Sequence, residues 1–319
     1  MIASVTTNPC IDFNVQVDEL IKNQTTRSKG ELLLPGGNGV NVARTATLLG
    51  DDVKVTAYGF AGGKLGELLK SMLDAEGVAH DFLDTGIETR INLLVSLPPD
   101  RSLVRVNTAG PEVTEEHGKA LLKQLVGLGD LQYVVLGGSL PGRKLPPPLP
   151  RDYYARVIDE LKLKKKDVKV ILDSRDMALG HGVDKGPFLV KPNEVEMARL
   201  AGRQELETEK DLVAAAERLI GRYGVGYFVI SRGERGCLVV GGDLRLRVNA
   251  AEQVSLTRPG AGDAFVGGLV WALAKGQSVE DAARTATAVG TATVLSEATH
   301  LFRKEEVDKL LPKTTVERL

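Results

Sequence analysis

The sequence predicts an α/β fold: a mostly parallel central sheet flanked by helices, with a small β-sheet lid. Three observations predict it. Short apolar runs of strand length alternate with amphipathic runs of helix length through most of the chain. Two stretches, about 11–35 and 88–107, instead alternate apolar and polar residues at period two. Glycine is abundant, 35 of 319 residues, and many glycines cluster in short segments where backbone can approach a ligand closely.

The chain opens on a strand-like run at Ile2–Thr6. Residues 40–49 read as a helix that stops at Gly50, and 53–57 as the next strand. A helix over 64–76 ends at Gly77. Tyr133-Val134-Val135-Leu136 is continuously apolar, as expected of a strand buried on both faces. A helix over 153–163 and a strand over 168–172 follow, then a strand at 188–190, helices at 194–200 and 211–223, and a strand at 227–230. Residues 252–256 look strand-like, and the last part is predicted to be nearly all helix, over 263–275 and 279–295. Within the period-two stretches, residues 91–97 and 103–106 form an antiparallel hairpin with one wet face, turned at Pro98-Pro99-Asp100. Both stretches read as a lid inserted into one domain spanning 1–319. The prolines at 146–148 and 150 mark a surface loop, and Lys162, Lys164, Lys165 and Lys166 crowd the end of a helix, where the dipole favours cations.

Composition narrows the function. The chain is 43% apolar and 26% charged, ordinary for a soluble globular protein. A net charge of −1 gives no broad basic surface for nucleic acid and no acidic excess of the kind that disorders a chain. The two cysteines, Cys10 and Cys237, form no metal-type pair and read as buried free thiols of a reducing compartment. No stretch is apolar enough to span a bilayer, and the start lacks the basic and long apolar regions of a signal peptide. A cytoplasmic protein with no membrane partner is expected.

Three segments could carry chemistry. In Gly260-Ala261-Gly262-Asp263 the glycines precede an apolar helix, so bare N–H groups and the positive end of the helix dipole form an anion site. A carboxylate there would repel a phosphate. It makes sense if it accepts the proton of a hydroxyl that attacks phosphorus, whereas the plainer reading is a helix start after a flexible turn. In Lys191-Pro192-Asn193-Glu194-Val195-Glu196, Asn193 and Glu196 share a face and are hard ligands suited to Mg²⁺, although a capped helix start gives the same pattern. Pro35-Gly36-Gly37-Asn38-Gly39-Val40-Asn41 is only superficially a dinucleotide fingerprint; its close backbone and the Asn41 amide suit a polyhydroxylated sugar. No P-loop and no protein-kinase catalytic loop occurs.

In this order the segments resemble the PfkB, or ribokinase-like, family of carbohydrate kinases, and within it the phosphofructokinase and tagatose-6-phosphate kinase branch. The likeness covers nearly the whole chain. It is also carried by Thr7-Asn8-Pro9-Cys10-Ile11-Asp12, Asn41-Val42-Ala43-Arg44, Thr89-Arg90-Ile91-Asn92 and Gly138-Ser139-Leu140-Pro141-Gly142. The resemblance implies a ribokinase-like α/β domain whose lid often serves as a dimer clasp, hence a homodimer through the lid. It implies ATP and Mg²⁺, with Asp263 as general base and Gly260, Ala261 and Gly262 as the anion hole. Asn193 and Glu196 would orient Mg²⁺ through water. Lys191, Asn193, Ser231, Gly233 and Gly236 would line the ATP phosphates, and Asp12, Gly37 and Asn41 would hold sugar hydroxyls. Arg90 and Arg105 fall on the two strands around the Pro98-Pro99 turn, at the branch's phosphate-contacting positions, where a planar guanidinium suits a phosphate; Arg27 is a third candidate.

Three departures from the family pattern stand out. Arg258-Pro259 replaces the small hydroxyl residue usual two positions before Gly260, in a loop that shapes a monovalent-cation site in some relatives, so a role for K⁺ stays open. Asn38 stands where many 1-phosphofructokinases have lysine, and Asp173-Ser174-Arg175-Asp176 departs from the usual Ser-Gly after the acidic residue. The implied reaction is phosphorylation of a ketohexose phosphate, of 1-phosphofructokinase or 6-phosphofructokinase type, to a hexose bisphosphate. Alternatives are a tagatose-6-phosphate kinase, a kinase of a free sugar or nucleoside, and a non-catalytic sugar-phosphate sensor. The paired arginines oppose the free sugar and nucleoside. Asp263, Asn193 and Glu196 together oppose the sensor.

Overall fold

Runs of apolar residues too short to make a helix are satisfied as strands, and the longer amphipathic runs cover them. A computed structural model describes residues 1–97, 102–142, 147–251, 259–296 and 301–319. In chain order they form β1 (Ile2–Thr6), β2 (Cys10–Gln16), β3 (Gly30–Gly36), α1 (Asn38–Leu49), β4 (Val55–Ala61), α2 (Gly63–Ala75), β5 (His80–Asp84), β6 (Arg90–Leu97), β7 (Ser102–Asn107), α3 (Glu115–Gly127), β8 (Tyr133–Gly138) and α4 (Tyr153–Lys164). Then come β9 (Lys169–Ser174), α5 (Asp176–Val183), β10 (Leu189–Val190), α6 (Glu194–Leu200), α7 (Glu209–Tyr223), β11 (Tyr227–Ser231), β12 (Cys237–Gly241), β13 (Leu244–Asn249), α8 (Ala261–Ala274), α9 (Val279–Leu295), α10 (Lys304–Leu310) and β14 (Thr315–Arg318).

Among the described residues the large sheet has ten strands, in the order β14-β13-β12-β11-β10-β9-β8-β1-β4-β5. From β11 to β5 all neighbours are parallel, and from β11 to β14 all are antiparallel. Alternate residues of the central strands feed two cores. Val134 and Leu136 pack with Leu121, Val157, Ile158 and Leu212 from α3, α4 and α7. Val135, Ile171 and Val229 pack with Val42, Leu69, Val266 and Ala283 from α1, α2, α8 and α9. A side chain such as Leu136, fully buried, contributes about 1.5–3 kcal/mol by leaving water. Helix α8 is apolar nearly all round because it is wedged between α1 and α9. Gly267 lies where a methyl group would meet the Thr45 side chain and the Val42 carbonyl, and Gly268 where it would meet Val289.

The winding direction reverses beside β1. The chain goes from β1 out to β4 and β5, then returns to β8 on the other side of β1 and continues to β11. Such a reversal opens a crevice at the carboxyl ends of the strands.

The small sheet has the order β3-β2-β6-β7. Both hairpins are antiparallel, as expected, but they join through a parallel pair, β2 with β6. The predicted turn at Pro98-Pro99-Asp100, the strand at 252–256, Pro146 and Arg258 lie outside the described residues. Sequence periodicity missed β5, β12, β13 and β14. Of these, β5 and β14 are sheet edges with half-wet patterns, and Thr-Val-Glu-Arg at β14 becomes a strand only because β13 offers it an unpaired edge.

Candidate active site

The site is assembled from the ends of the central strands. Beyond β1 lie Thr7 and Asn8, beyond β8 Ser139, at the end of β9 Asp173 and Ser174, beyond β10 Lys191, and at the end of β11 Ser231. Asn8 Nδ2 donates to Ser139 Oγ at 3.3 Å across the reversal point. Helix α1 starts here because Gly37, its N-cap, adopts φ 117°, a conformation that a side chain would strain, and lies against Thr6 and Pro9.

Helix α8 has Gly260 as its N-cap, in the left-handed conformation with φ 85°, and among the described residues no side chain caps its first turn. Among the described residues nothing lies within 4 Å of a methyl group placed on Gly262. The free N–H groups and the positive end of the dipole therefore remain available to an anion. Asp263 sits in this first turn, and its Oδ2 accepts from Asn41 Nδ2 at 2.8 Å. Asp263 is partly exposed as a residue, yet burial is the main reason its carboxyl is pushed up to about 7, with repulsion from Asp173 next. The Asn41 hydrogen bond, Lys191 and Arg175 oppose that shift.

Lys191 and Asp173 form a buried ion pair at 3.0 Å. For the ammonium, burial is the largest influence and works downward, but attraction from Asp173, then Glu196, and also Asp263 outweighs it, so its pKa lies above the ordinary lysine value. The crevice thus holds a guarded cation, a carboxyl poised to change protonation near neutrality, and an uncapped helix N-terminus.

The other expected positions are distributed as follows. Asp12 lies on the small sheet opposite Asn92, whose Nδ2 donates to Asp12 Oδ1 at 2.9 Å; Cys10 Sγ donates to the same oxygen at 3.2 Å. Strand register puts Asp12, Arg90, Asn92 and Arg105 on one face. Arg90 is already engaged: Nη1 donates to the Thr108 carbonyl at 2.8 Å and Nη2 to the Asn8 carbonyl at 3.0 Å. Among the described residues its Nε is buried without a partner, as is Asn8 Oδ1. Arg105 is exposed on the outer strand β7, and Arg27 is exposed in the connection from β2 to β3. The opposite face presents Leu33, Ile91, Val104 and Val106 to solvent.

Asn193 and Glu196 form a capping box: Asn193 Oδ1 accepts from the Glu196 amide at 2.8 Å, and Glu196 Oε2 from the Asn193 amide at 2.9 Å. The helix-start reading of this pair is therefore realised, and any metal contact would have to use their remaining atoms. Ser231 donates through its backbone to the Pro192 carbonyl at 2.9 Å. The turn that follows, with Gly233 at φ 59° and Gly236 at φ 79°, is pinned by ion pairs. Arg232 binds Glu194 and Glu209, and Arg235 binds Glu194. Among the described residues no group of three or more His, Cys, Asp or Glu side chains could hold a metal ion. A cavity of about 530 Å³ is lined by residues of α5, α6 and α7, Glu196 among them, and by none of α8.

Two participants were not singled out in the sequence. Asp173 had a signal, an acid ending an apolar strand, but nothing local tied it to Lys191 or Asp263. Arg44 donates through Nη1 to Asn41 Oδ1 at 3.1 Å; it stands in the Asn41-Val42-Ala43-Arg44 motif, but no role was read from it.

A helix start with free N–H groups and a carboxyl in its first turn is an arrangement suited to phosphotransfer to an alcohol. Residues 3–305 match the pfkB family carbohydrate kinase pattern. The chain is 31% identical to the 1-phosphofructokinase of Bacillus subtilis over 100% of both chains. It is 30% identical to the D-tagatose-1-phosphate kinase of Bacillus licheniformis over 93% of both. The fold matches the crystal structure of phosphofructokinase-2 from Escherichia coli in complex with potassium, with TM-score 0.88 and 28% identity over 98% of both chains. The chain belongs to the pfkB family of carbohydrate kinases.

Proposed function

We propose that the chain transfers the γ-phosphoryl group of ATP to a primary hydroxyl of a ketohexose monophosphate and releases a hexose bisphosphate. The observation that carries this reading is the Asp263 carboxyl, pushed up to about 7, in the first turn of an uncapped helix. Near neutral pH it can take a proton from the attacking hydroxyl and release it again. The Gly260, Ala261 and Gly262 backbone faces the charge that develops on the transferred group; one such donor is worth about 3 kcal/mol in the transition state. Lys191, Ser231, Gly233 and Gly236 attend the ATP phosphates. Mg²⁺ carried by the nucleotide would neutralise phosphate charge, and Asn193 and Glu196 fit it as outer contacts through water, since the chain offers no metal cage of its own among the described residues.

Asp12, Gly37 and Asn41 hold the sugar, and Arg90 and Arg105 its phosphate, with the small sheet acting as a lid. The similarity to a 1-phosphofructokinase and to a D-tagatose-1-phosphate kinase favours a ketohexose 1-phosphate as acceptor. A second copy of the chain covers the apolar outer face of the lid. The potassium complex of the E. coli neighbour makes K⁺ the monovalent cation to test, and the two buried free cysteines suit a reducing cytoplasm. Purified protein with Mg-ATP is offered fructose 1-phosphate, fructose 6-phosphate, tagatose 1-phosphate, tagatose 6-phosphate and free fructose. ADP release with a 1-phosphate is expected; release only with free fructose, or with none of them, refutes the reading.

A further inference from the structure

The base of the reaction proposed above is held by a relay that reaches far from the crevice. Asn41 offers Asp263 the amino end of its amide. An amide turned the other way would set its carbonyl oxygen against the carboxylate oxygen, and little in the local shape of the group prevents that. Arg44 prevents it. A guanidinium has donors only, and Arg44 Nη1 lies 3.1 Å from Asn41 Oδ1, so the carbonyl end must face Arg44 and the amino end Asp263. Arg44 is itself buried, at 7% exposure. It is gripped by Glu76 at the end of α2 through Nε to Oε2 at 2.5 Å and Nη2 to Oε1 at 2.7 Å, and it donates to the Pro35 carbonyl at 3.2 Å.

We propose that Arg44, fixed by Glu76, is a positioning residue for catalysis: it sets the orientation of the Asn41 amide, which pins Asp263 Oδ2 and leaves Oδ1 to take the substrate proton. Three helices meet in this relay, with α2 supplying Glu76, α1 supplying Arg44 and Asn41, and α8 supplying Asp263. The other charged groups facing Asp263 are Asp173, Lys191 and Arg175, and none of them touches Arg44 in the relay. The Asn41 hydrogen bond favours the ionised carboxyl, so losing the fixed amide should make the base ionise at higher pH.

The experiment compares kcat and its pH profile in the parent, Arg44→Met, Arg44→Lys and Glu76→Gln. Arg44→Met keeps an unbranched apolar stem and removes the donor. It is expected to lower kcat about tenfold or more, as a misplaced reacting group does, to move the acid limb of the profile to higher pH, and to leave KM for ATP unchanged. Arg44→Lys retains a donor to Asn41 without the paired grip on Glu76, and should recover part of kcat and of the limb. If Arg44→Met does not fold, Glu76→Gln, which preserves shape and weakens the grip, must move the limb in the same direction. A lower melting temperature with kcat and limb at parental values, in whichever variants fold, overturns the inference and leaves Arg44 a packing residue. The inference rests on the kinase reading. No ADP from the parent with any sugar phosphate refutes both, whereas ADP from the parent with an unmoved limb in the variants refutes this inference alone.

Discussion

Asp263→Asn should make the protein more stable and nearly inactive, and both effects come from one carboxyl. In the folded chain its pKa is pushed from 3.8 to about 7, burial being the main cause and Asp173 the second. In the unfolded chain the group returns to about 3.9. Between those values the folded chain holds a proton that the unfolded chain has released, so stability falls as pH rises through the window and is level above it. About three decades at 1.36 kcal/mol each amount to roughly 4 kcal/mol above pH 7, an upper bound because Asp263 is partly exposed. At pH 5 the same arithmetic leaves roughly 1.5 kcal/mol. Asparagine cannot ionise, so the variant should exceed the parent by up to about 4 kcal/mol at pH 8, and by much less at pH 5. Turnover moves the other way: loss of the base should lower kcat by about 10²–10⁴, while the parent's rate climbs through about pH 7. Urea unfolding at pH 5, 6.5 and 8, with ADP release at the same values, reads both. Parallel stability profiles for the two proteins, or a variant as fast as the parent, would refute the reasoning.

The remaining expectations concern the residues around that carboxyl. Lys191→Met strands Asp173 as a buried unpaired charge and should cost about 3–5 kcal/mol in urea unfolding; in material that stays folded, the acid limb should move up because the ammonium no longer opposes protonation of Asp263. Arg105→Met should raise KM for the sugar phosphate and leave the melting temperature alone, since the residue is exposed. Arg90→Met should raise KM and lower the melting temperature together, because that guanidinium also holds the Asn8 and Thr108 carbonyls. Val106→Asp, on the outer face of the small sheet, should convert a dimer to monomers in sedimentation without disturbing the fold; an unchanged sedimentation coefficient would rule out the lid as the interface.

The parts of the fold that sequence reveals are those whose cause is local. Tyr133-Val134-Val135-Leu136 is apolar at every position because both of its faces are covered, and 194–200 declares its own helix start through Asn193 and Glu196. The helix start after Gly260 was legible for the same reason, since small residues and a following apolar run occupy adjacent positions. What escaped is non-local. The parallel join of β2 to β6 depends on where β4, α2 and β5 carry the chain in between, and period-two alternation looks the same in either direction. Strand β14 exists by courtesy of a neighbour about seventy residues earlier. Within the site, Asp173 meets Lys191, and Asn41 meets Asp263, only because strand ends and helix starts converge at the reversal of winding. The capping box shows the converse: a pattern with two readings in the sequence has its local one realised in the hydrogen bonds, whatever else those residues do.

Gly267 has a meaning that no inspection of the crevice would suggest. It touches nothing there, yet it sets how near α8 may come to α1, at the level of Val42 and Thr45, one turn from Asn41. A methyl group at that point would act as a shim between the two helices and lengthen the reach from Asn41 to Asp263. In a random library scored only for growth or colour, position 267 would be filed with the chemical residues, although its part is that of a spacer whose correct thickness is zero. Tolerance in this enzyme is therefore also limited at a place with no reactive atom.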